Sequence, residues 1–146
     1  MIWLLRHGDA EAGEGKPDAE RDLTEKGERQ SVAAGKALKE LGIELDVCLT
    51  SPKVRAKRTA ELACEQLGAP VEEDERLAGG DFDPLELAEG RSEVMLVGHE
   101  PDFSSAVAQV TGSRVKIKKG GIAAIDDHLL HGLYRPKDLK AITTAG

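Results

Sequence analysis

Apolar residues in this chain gather in short, nearly continuous runs, and stretches with helical periodicity lie between them. "IWLLR", residues 2–6, "LDVCLT", residues 45–50, and "EVMLVGH", residues 93–99, lack the polar alternation of a half-exposed strand. They read as strands buried on both faces. "APVEED", 69–74, "GIAAID", 121–126, and "LLHGLYR" are weaker strand signals. Between the first two runs, Thr24 is a good N-cap. Ala34, Leu38 and Leu41 then share one helical face up to Gly42, a natural stop. After the second run, Ser51 and Pro52 have the pattern of an N-cap and first-turn proline. Ala56, Ala60, Ala63 and Leu67 follow as a narrow stripe of small residues suited to close packing. One helical turn is expected near Leu85–Leu87, and a longer helix opens at Pro101 or Asp102 and runs to about Val110. The last ten residues carry no clear pattern.

Strands alternating with helices predict a single α/β domain over residues 1–146. A largely parallel central sheet has helices on both faces, giving three α/β/α layers. Aromatic residues make up only 3% of the chain, so the core must come from Leu, Val, Ile and Ala. The net charge of −7 argues against a general nucleic-acid or anionic-membrane binder. No apolar run approaches the ~20 residues of a membrane span. Cys48 and Cys64 form no CxxC pair and read as reduced core thiols, which makes the cytoplasm the expected compartment. Nothing in the pattern demands more than a monomer.

In open α/β sheets, ligands sit beyond the carboxyl ends of the strands. Arg6, His7 and Gly8 follow the first strong run. Thr50, Ser51 and then Arg55 follow the second. Gly98, His99 and Glu100 follow the third. Two histidines and two arginines therefore converge on one sheet edge. Arginine pairs bidentately with phosphate oxygens, and a neutral imidazole can attack phosphorus. Gly8 would let a ligand or a second backbone approach closely. This set fits phosphoryl transfer better than acyl or hydride transfer. Arg21 could reach the phosphate or pair with a neighbouring acid. "AGEGKP", 12–17, fails as a phosphate loop and reads as a mobile loop beside the site. "DDHLLH", 126–131, offers Asp126, Asp127, His128 and His131 as metal ligands, but a hairpin turn explains it more simply. "VKIKKGG" reads as an exposed edge strand guarded by lysines; a docking patch for an acidic partner at Lys116–Lys119 is the alternative.

Taken in order, "LLRHGDA", "RDLTEKG", "TSPKVRAKRTAE" and "VGHEP" resemble the histidine phosphatase superfamily over roughly residues 1–110. The size and the "RHGDA" start are most similar to SixA-type phosphohistidine phosphatases. Only about twenty residues separate the weak 69–74 strand from "EVMLVGH", too few for the helical lid of larger relatives. The resemblance implies a phosphoglycerate-mutase-like topology without that lid. It also implies that His7 is the nucleophile, that Arg6, Arg55 and His99 bind the phosphoryl oxygens, and that no metal or cofactor is needed. Gly8, Arg21 and Ser51 would contact substrate. The resemblance assigns no proton donor: larger relatives carry one after the central strand, where this chain has Glu73, Asp74, Glu75 and Asp81, and Asp9 and Asp18 of the loop after "RHG" are the other candidates. The implied substrate is a phosphohistidine protein, with a small phosphate ester as the alternative. A metal-dependent hydrolase or a non-catalytic phosphate-binding module would be the outlying readings.

Overall fold

The computed structural model describes residues 1–145. Six strands form one sheet: β1 (Ile2–Arg6), β2 (Val47–Thr50), β3 (Val71–Glu73), β4 (Val94–Gly98), β5 (Ile122–Asp126) and β6 (Leu129–Tyr134). The order across it is β3-β2-β4-β1-β5-β6. The first four are parallel, and β5 and β6 join antiparallel at one side. The largely parallel α/β expectation therefore holds. The helices are α1 (Glu25–Glu40), α2 (Val54–Leu67), α3 (Pro84–Leu87), α4 (Asp102–Thr111) and α5 (Pro136–Ala145).

Why the strong runs are unbroken is visible in β1. Trp3 and Leu5 face a core completed by α1, α2 and α5, through Leu38, Ala60 and Leu139. Ile2 and Leu4 face the other core, completed by Leu87 of α3 and Phe103 and Val107 of α4. With a hydrophobic layer on each side, none of the four positions from Ile2 to Leu5 can be polar.

Thr24 caps α1 as expected, its side chain accepting from Gly27 N. The chain leaves the helix at Gly42 in the left-handed region, with φ 77°. Leu41, assigned to the buried face, is instead 45% exposed, as the C-cap just past the last helical residue. The small-residue stripe of α2 does pack closely, and against α1 as well as the sheet. A side chain on Gly35 of α1 would lie 2.3 Å from the Ala63 carbonyl oxygen.

Three expectations need correction. Helix α2 begins two residues later than its Ser–Pro signal suggests: Lys53 is the N-cap, while Ser51 Oγ accepts from Lys53 N at 3.2 Å inside the preceding turn. Residues 115–119 form no edge strand. Both backbone polar groups of Ile117 are taken by side chains, its N–H by Glu100 and its carbonyl by Arg6, so no ladder can form there. Of the patternless last ten residues, 137–145 belong to α5 (Pro136–Ala145). Pro136 stands in its first turn and Leu139 is buried.

Candidate active site

The carboxyl ends of β1, β2 and β4 lie side by side, and the backbone after β1 is clamped on both flanks. His7 N donates to Gly98 O at 3.0 Å, Arg6 N donates to Gly121 O at 3.0 Å, and Gly120 N donates to both the Arg6 and His7 carbonyls. Gly8 N donates to Thr59 Oγ1 of α2 at 3.1 Å. The loop then lies flat against the first turn of α1: a Cβ on Gly8 would be 2.6 Å from Gly27 O, and one on Gly27 would be 2.0 Å from Asp9 O. Gly8 therefore provides clearance for a second backbone. That is one of the two roles expected of it, the other being clearance for a ligand.

This frame brings His7, His99, Arg6 and Arg55 to one place. The imidazole centroids of His7 and His99 are 5.2 Å apart, and both rings are almost fully buried. His7 Nδ1 lies 2.7 Å from the Gly8 carbonyl oxygen, which can only accept. The proton is therefore on Nδ1 and the lone pair on Nε2. Ser51 Oγ accepts from Lys53 N, so its own hydrogen is free for His99 Nε2 at 2.8 Å. When that hydroxyl donates to Nε2, the His99 proton is on Nδ1. Ser51 is fully buried and meets His99, which it orients.

Burial pushes the His7 pKa down to about 4, and the positive charges of Arg55, Arg6 and Lys119 add to the shift against the Gly8 hydrogen bond. Burial likewise pushes His99 down to about 3, with His7 and Arg55 adding to it. Both rings are neutral at pH 7, as a nucleophile on phosphorus requires. Arg6 donates from Nη1 to Ile117 O at 2.9 Å. Among the described residues, Arg6 Nε and His99 Nδ1 are the buried polar side-chain atoms without a partner. Two orphaned donors beside neutral His7 Nε2 suit a ligand rich in acceptor oxygens.

Arg55 stands in the first turn of α2 and donates to Asp18 twice, from Nη1 to the carbonyl oxygen at 2.8 Å and from Nη2 to Oδ2 at 3.2 Å. Asp18 also takes Arg21 Nη1 at 3.1 Å and has Lys53 Nζ at 3.5 Å. Hydrogen bonds from Arg21 and Arg55 hold its carboxyl at about 2. Arg21 donates in addition to the Glu11 carbonyl. It thus braces the 11–21 loop instead of pointing a free guanidinium at the site. Asp9 accepts from Thr24 Oγ1 at 2.8 Å, a bond that lowers its pKa. Both loop candidates for the proton donor are therefore carboxylates at pH 7.

Several supporting residues carry no signal of their own in the sequence. Thr59 is one turn beyond Arg55 and holds Gly8. Gln30 Oε1 accepts from Asp9 N at 2.9 Å. Glu100 accepts from Ser104 and from Ile117 N. The "DDHLLH" residues lie on the β5–β6 hairpin, where Asp126 pairs with Leu129, at the end of these strands away from the site. Among the described residues no three His, Cys, Asp or Glu side chains converge to hold a metal ion.

The profile of the histidine phosphatase superfamily (branch 1) matches residues 2–112. An uncharacterized protein of Picosynechococcus sp. is 33% identical over 137 residues, covering 85% of this chain and 83% of that protein. The 2,3-bisphosphoglycerate-dependent phosphoglycerate mutase of Streptococcus uberis is 45% identical over 85 residues; the match spans 53% of this chain and only 37% of the mutase. The protein histidine phosphatase SixA, complexed with tungstate, superposes with a TM-score of 0.82 at 25% identity, covering 95% of this chain and 99% of that one. An alpha-ribazole phosphatase from Shigella flexneri shares the fold, with a TM-score of 0.74 at 17% identity over 92% of this chain and 96% of that one.

Proposed function

The chain belongs to the histidine phosphatase superfamily, and from that premise we infer that it is a phosphatase that removes the phosphoryl group from phosphohistidine on proteins. His7 Nε2 attacks phosphorus, forming a P–N bond as the bond to the leaving group breaks. Arg6, Arg55 and the Nδ1–H of His99 carry the charge on the phosphoryl oxygens, the dominant contribution in this class of transfer. Water then attacks the phosphorus on His7. The P–Nε2 bond breaks with its electron pair returning to Nε2, one water proton passes to solvent, and inorganic phosphate and neutral His7 are released.

The observation that carries the choice of substrate is that the loop carboxyls are already engaged as acceptors, Asp9 by the Thr24 hydroxyl and Asp18 by Arg21 and Arg55, which lowers both pKa values. An alkoxide leaving from a phosphate ester needs a proton in the transition state. An imidazole leaving from a P–N bond needs far less help. The segment between β3 and β4 supports the same reading. It holds a short 3-10 turn and the four-residue α3, whose Leu77 and Leu87 are buried in the core on the sheet face. Among the described residues, this segment builds no folded lid over the strand ends. The likeness to SixA adds support.

The test is to expose the enzyme to a labelled phosphohistidine protein and to a phosphoserine peptide. Faster turnover of the former, with an acid-labile and alkali-stable label on the enzyme that disappears in His7→Ala, is expected. Comparable turnover of both would remove the substrate assignment. A label indifferent to His7→Ala would remove the mechanism.

A further inference from the structure

Helices α1 and α5 enclose a groove of about 560 Å³ that plays no part in the chemistry above. Its apolar lining is Val32, Ala33, Leu62 and Pro136. Lys26, Arg29, Lys36, Lys137 and Lys140 line it as well. All five are exposed, and among the described residues none lies within ion-pair distance of a carboxylate. The groove's carboxylate, Glu28, is engaged by Arg58 at 3.3 Å. A chain of net charge −7 thus keeps an unpaired cationic patch around an apolar floor.

Both walls of the groove start at the catalytic edge. Lys26 is two residues beyond Thr24, whose hydroxyl holds Asp9 next to the His7 loop. Pro136 is two residues beyond Tyr134, which pairs with Ile122; Ile122 in turn pairs with Leu5, the residue before Arg6. Gln30, also in the lining, accepts from Asp9 N. From Lys26 to Lys36 the α1 wall runs about 15 Å, enough for several turns of a bound helix.

We propose that this groove docks an acidic, amphipathic segment of the phosphoprotein substrate and so delivers its phosphoryl group to His7. Opposite charge sets orientation and encounter rate, and apolar side chains on the floor supply burial. A concave apolar floor between two helices fits a peptide segment better than a flat lipid surface. This inference rests on the phosphoprotein reading of the site. The probes are two synthetic phosphohistidine peptides of equal length with the same apolar spacing, one with glutamates on its polar face and one with glutamines, plus the unphosphorylated acidic peptide and the small donor phosphoramidate.

The acidic peptide is expected to have a KM lower by about tenfold than the neutral one. Lys137→Glu/Lys140→Glu should erase that difference, Lys137→Arg/Lys140→Arg should keep it, and phosphoramidate turnover should stay the same in all. Equal KM values for the two peptides in the unaltered enzyme would overturn the docking site. So would a charge-reversal variant that binds the unphosphorylated acidic peptide unchanged. Binding of anionic vesicles or of RNA, lost in that variant while peptide affinity is unaffected, would overturn it in favour of a lipid or nucleic-acid surface. If neither phosphohistidine peptide is turned over but the unphosphorylated acidic peptide binds and loses affinity on charge reversal, the docking site stands and the phosphohistidine assignment falls.

Discussion

His7 and His99 are held neutral by the same burial that places them together, and this has two measurable consequences. Their ring signals should show no protonation by NMR between pH 8 and about pH 5, given folded pKa values of about 4 and about 3. Midpoints near 6.5 for both would contradict the electrostatic picture of the site. The sign of the stability effect follows from linkage. Unfolding returns both histidines to about 6.5, so below that pH the unfolded chain binds more protons. Their contribution is complete above about 6.5 and is lost progressively as pH falls toward 4. Chemical denaturation should show stability declining over that interval, and His99→Gln should flatten the decline. Asp18 acts in the opposite sense on ligand binding. Its carboxylate occupies the Arg55 guanidinium that an oxyanion would use. Asp18→Asn should therefore lower the inhibition constant of inorganic phosphate by about two- to fivefold. A weaker inhibition constant would mean that Asp18 serves chiefly to hold Arg55 in place.

Between elements, the decisive contacts are backbone to backbone. In an exposed helix, Gly→Ala would gain about 1 kcal/mol. At Gly35 the new Cβ would sit 2.3 Å from a carbonyl oxygen of α2, an atom that cannot swing aside as a side chain could. Overpacking of this kind costs about 1–3 kcal/mol, so Gly35→Ala should give a net loss measurable by urea denaturation. Gly27→Ala meets the Asp9 carbonyl oxygen at a still closer 2.0 Å, and that carbonyl belongs to the loop that carries His7. Activity should fall in this variant even at temperatures where it remains folded, whereas folded Gly35→Ala should retain it. The motif around Thr24 thus has two separable jobs: the threonine caps α1, and the glycine three residues later admits the catalytic loop. Helix α5 was invisible as a pattern, yet Leu139 is 1% exposed in the core shared with Trp3 and Leu38. Leu139→Ala should cost about 2–5 kcal/mol, against less than 1 for exposed Leu129→Ala at the hairpin tip.

Across the whole molecule, charge is distributed against its own average. The net charge is negative, yet the anion site and the α1–α5 groove are local concentrations of cations. Binding of an oxyanion to the folded state alone should raise the thermal midpoint. At a hundred times the dissociation constant the gain is about 2.7 kcal/mol. Inorganic phosphate should produce this shift in the unaltered protein and not in Arg55→Ala, as read by scanning calorimetry. Equal shifts in both would place the anion elsewhere on the surface.

The unbroken apolar runs state that β1, β2 and β4 are buried on both faces, and strand polarity alone then collects Arg6, His7, Arg55 and His99 at one edge. These features are legible because burial and periodicity are local in sequence. What the chain could not disclose depends on partners distant in sequence. Gly8 answers to Gly27, and Ser51 answers to His99. The Asp18 carboxyl is held at about 2 by Arg21, three residues away, and by Arg55, 37 residues away. Residues 115–119 lose their strand because Arg6 and Glu100 take the backbone groups of Ile117. Tertiary contact decides such cases, since a hydrogen bond or a steric clash between segments outweighs the propensity of either segment alone.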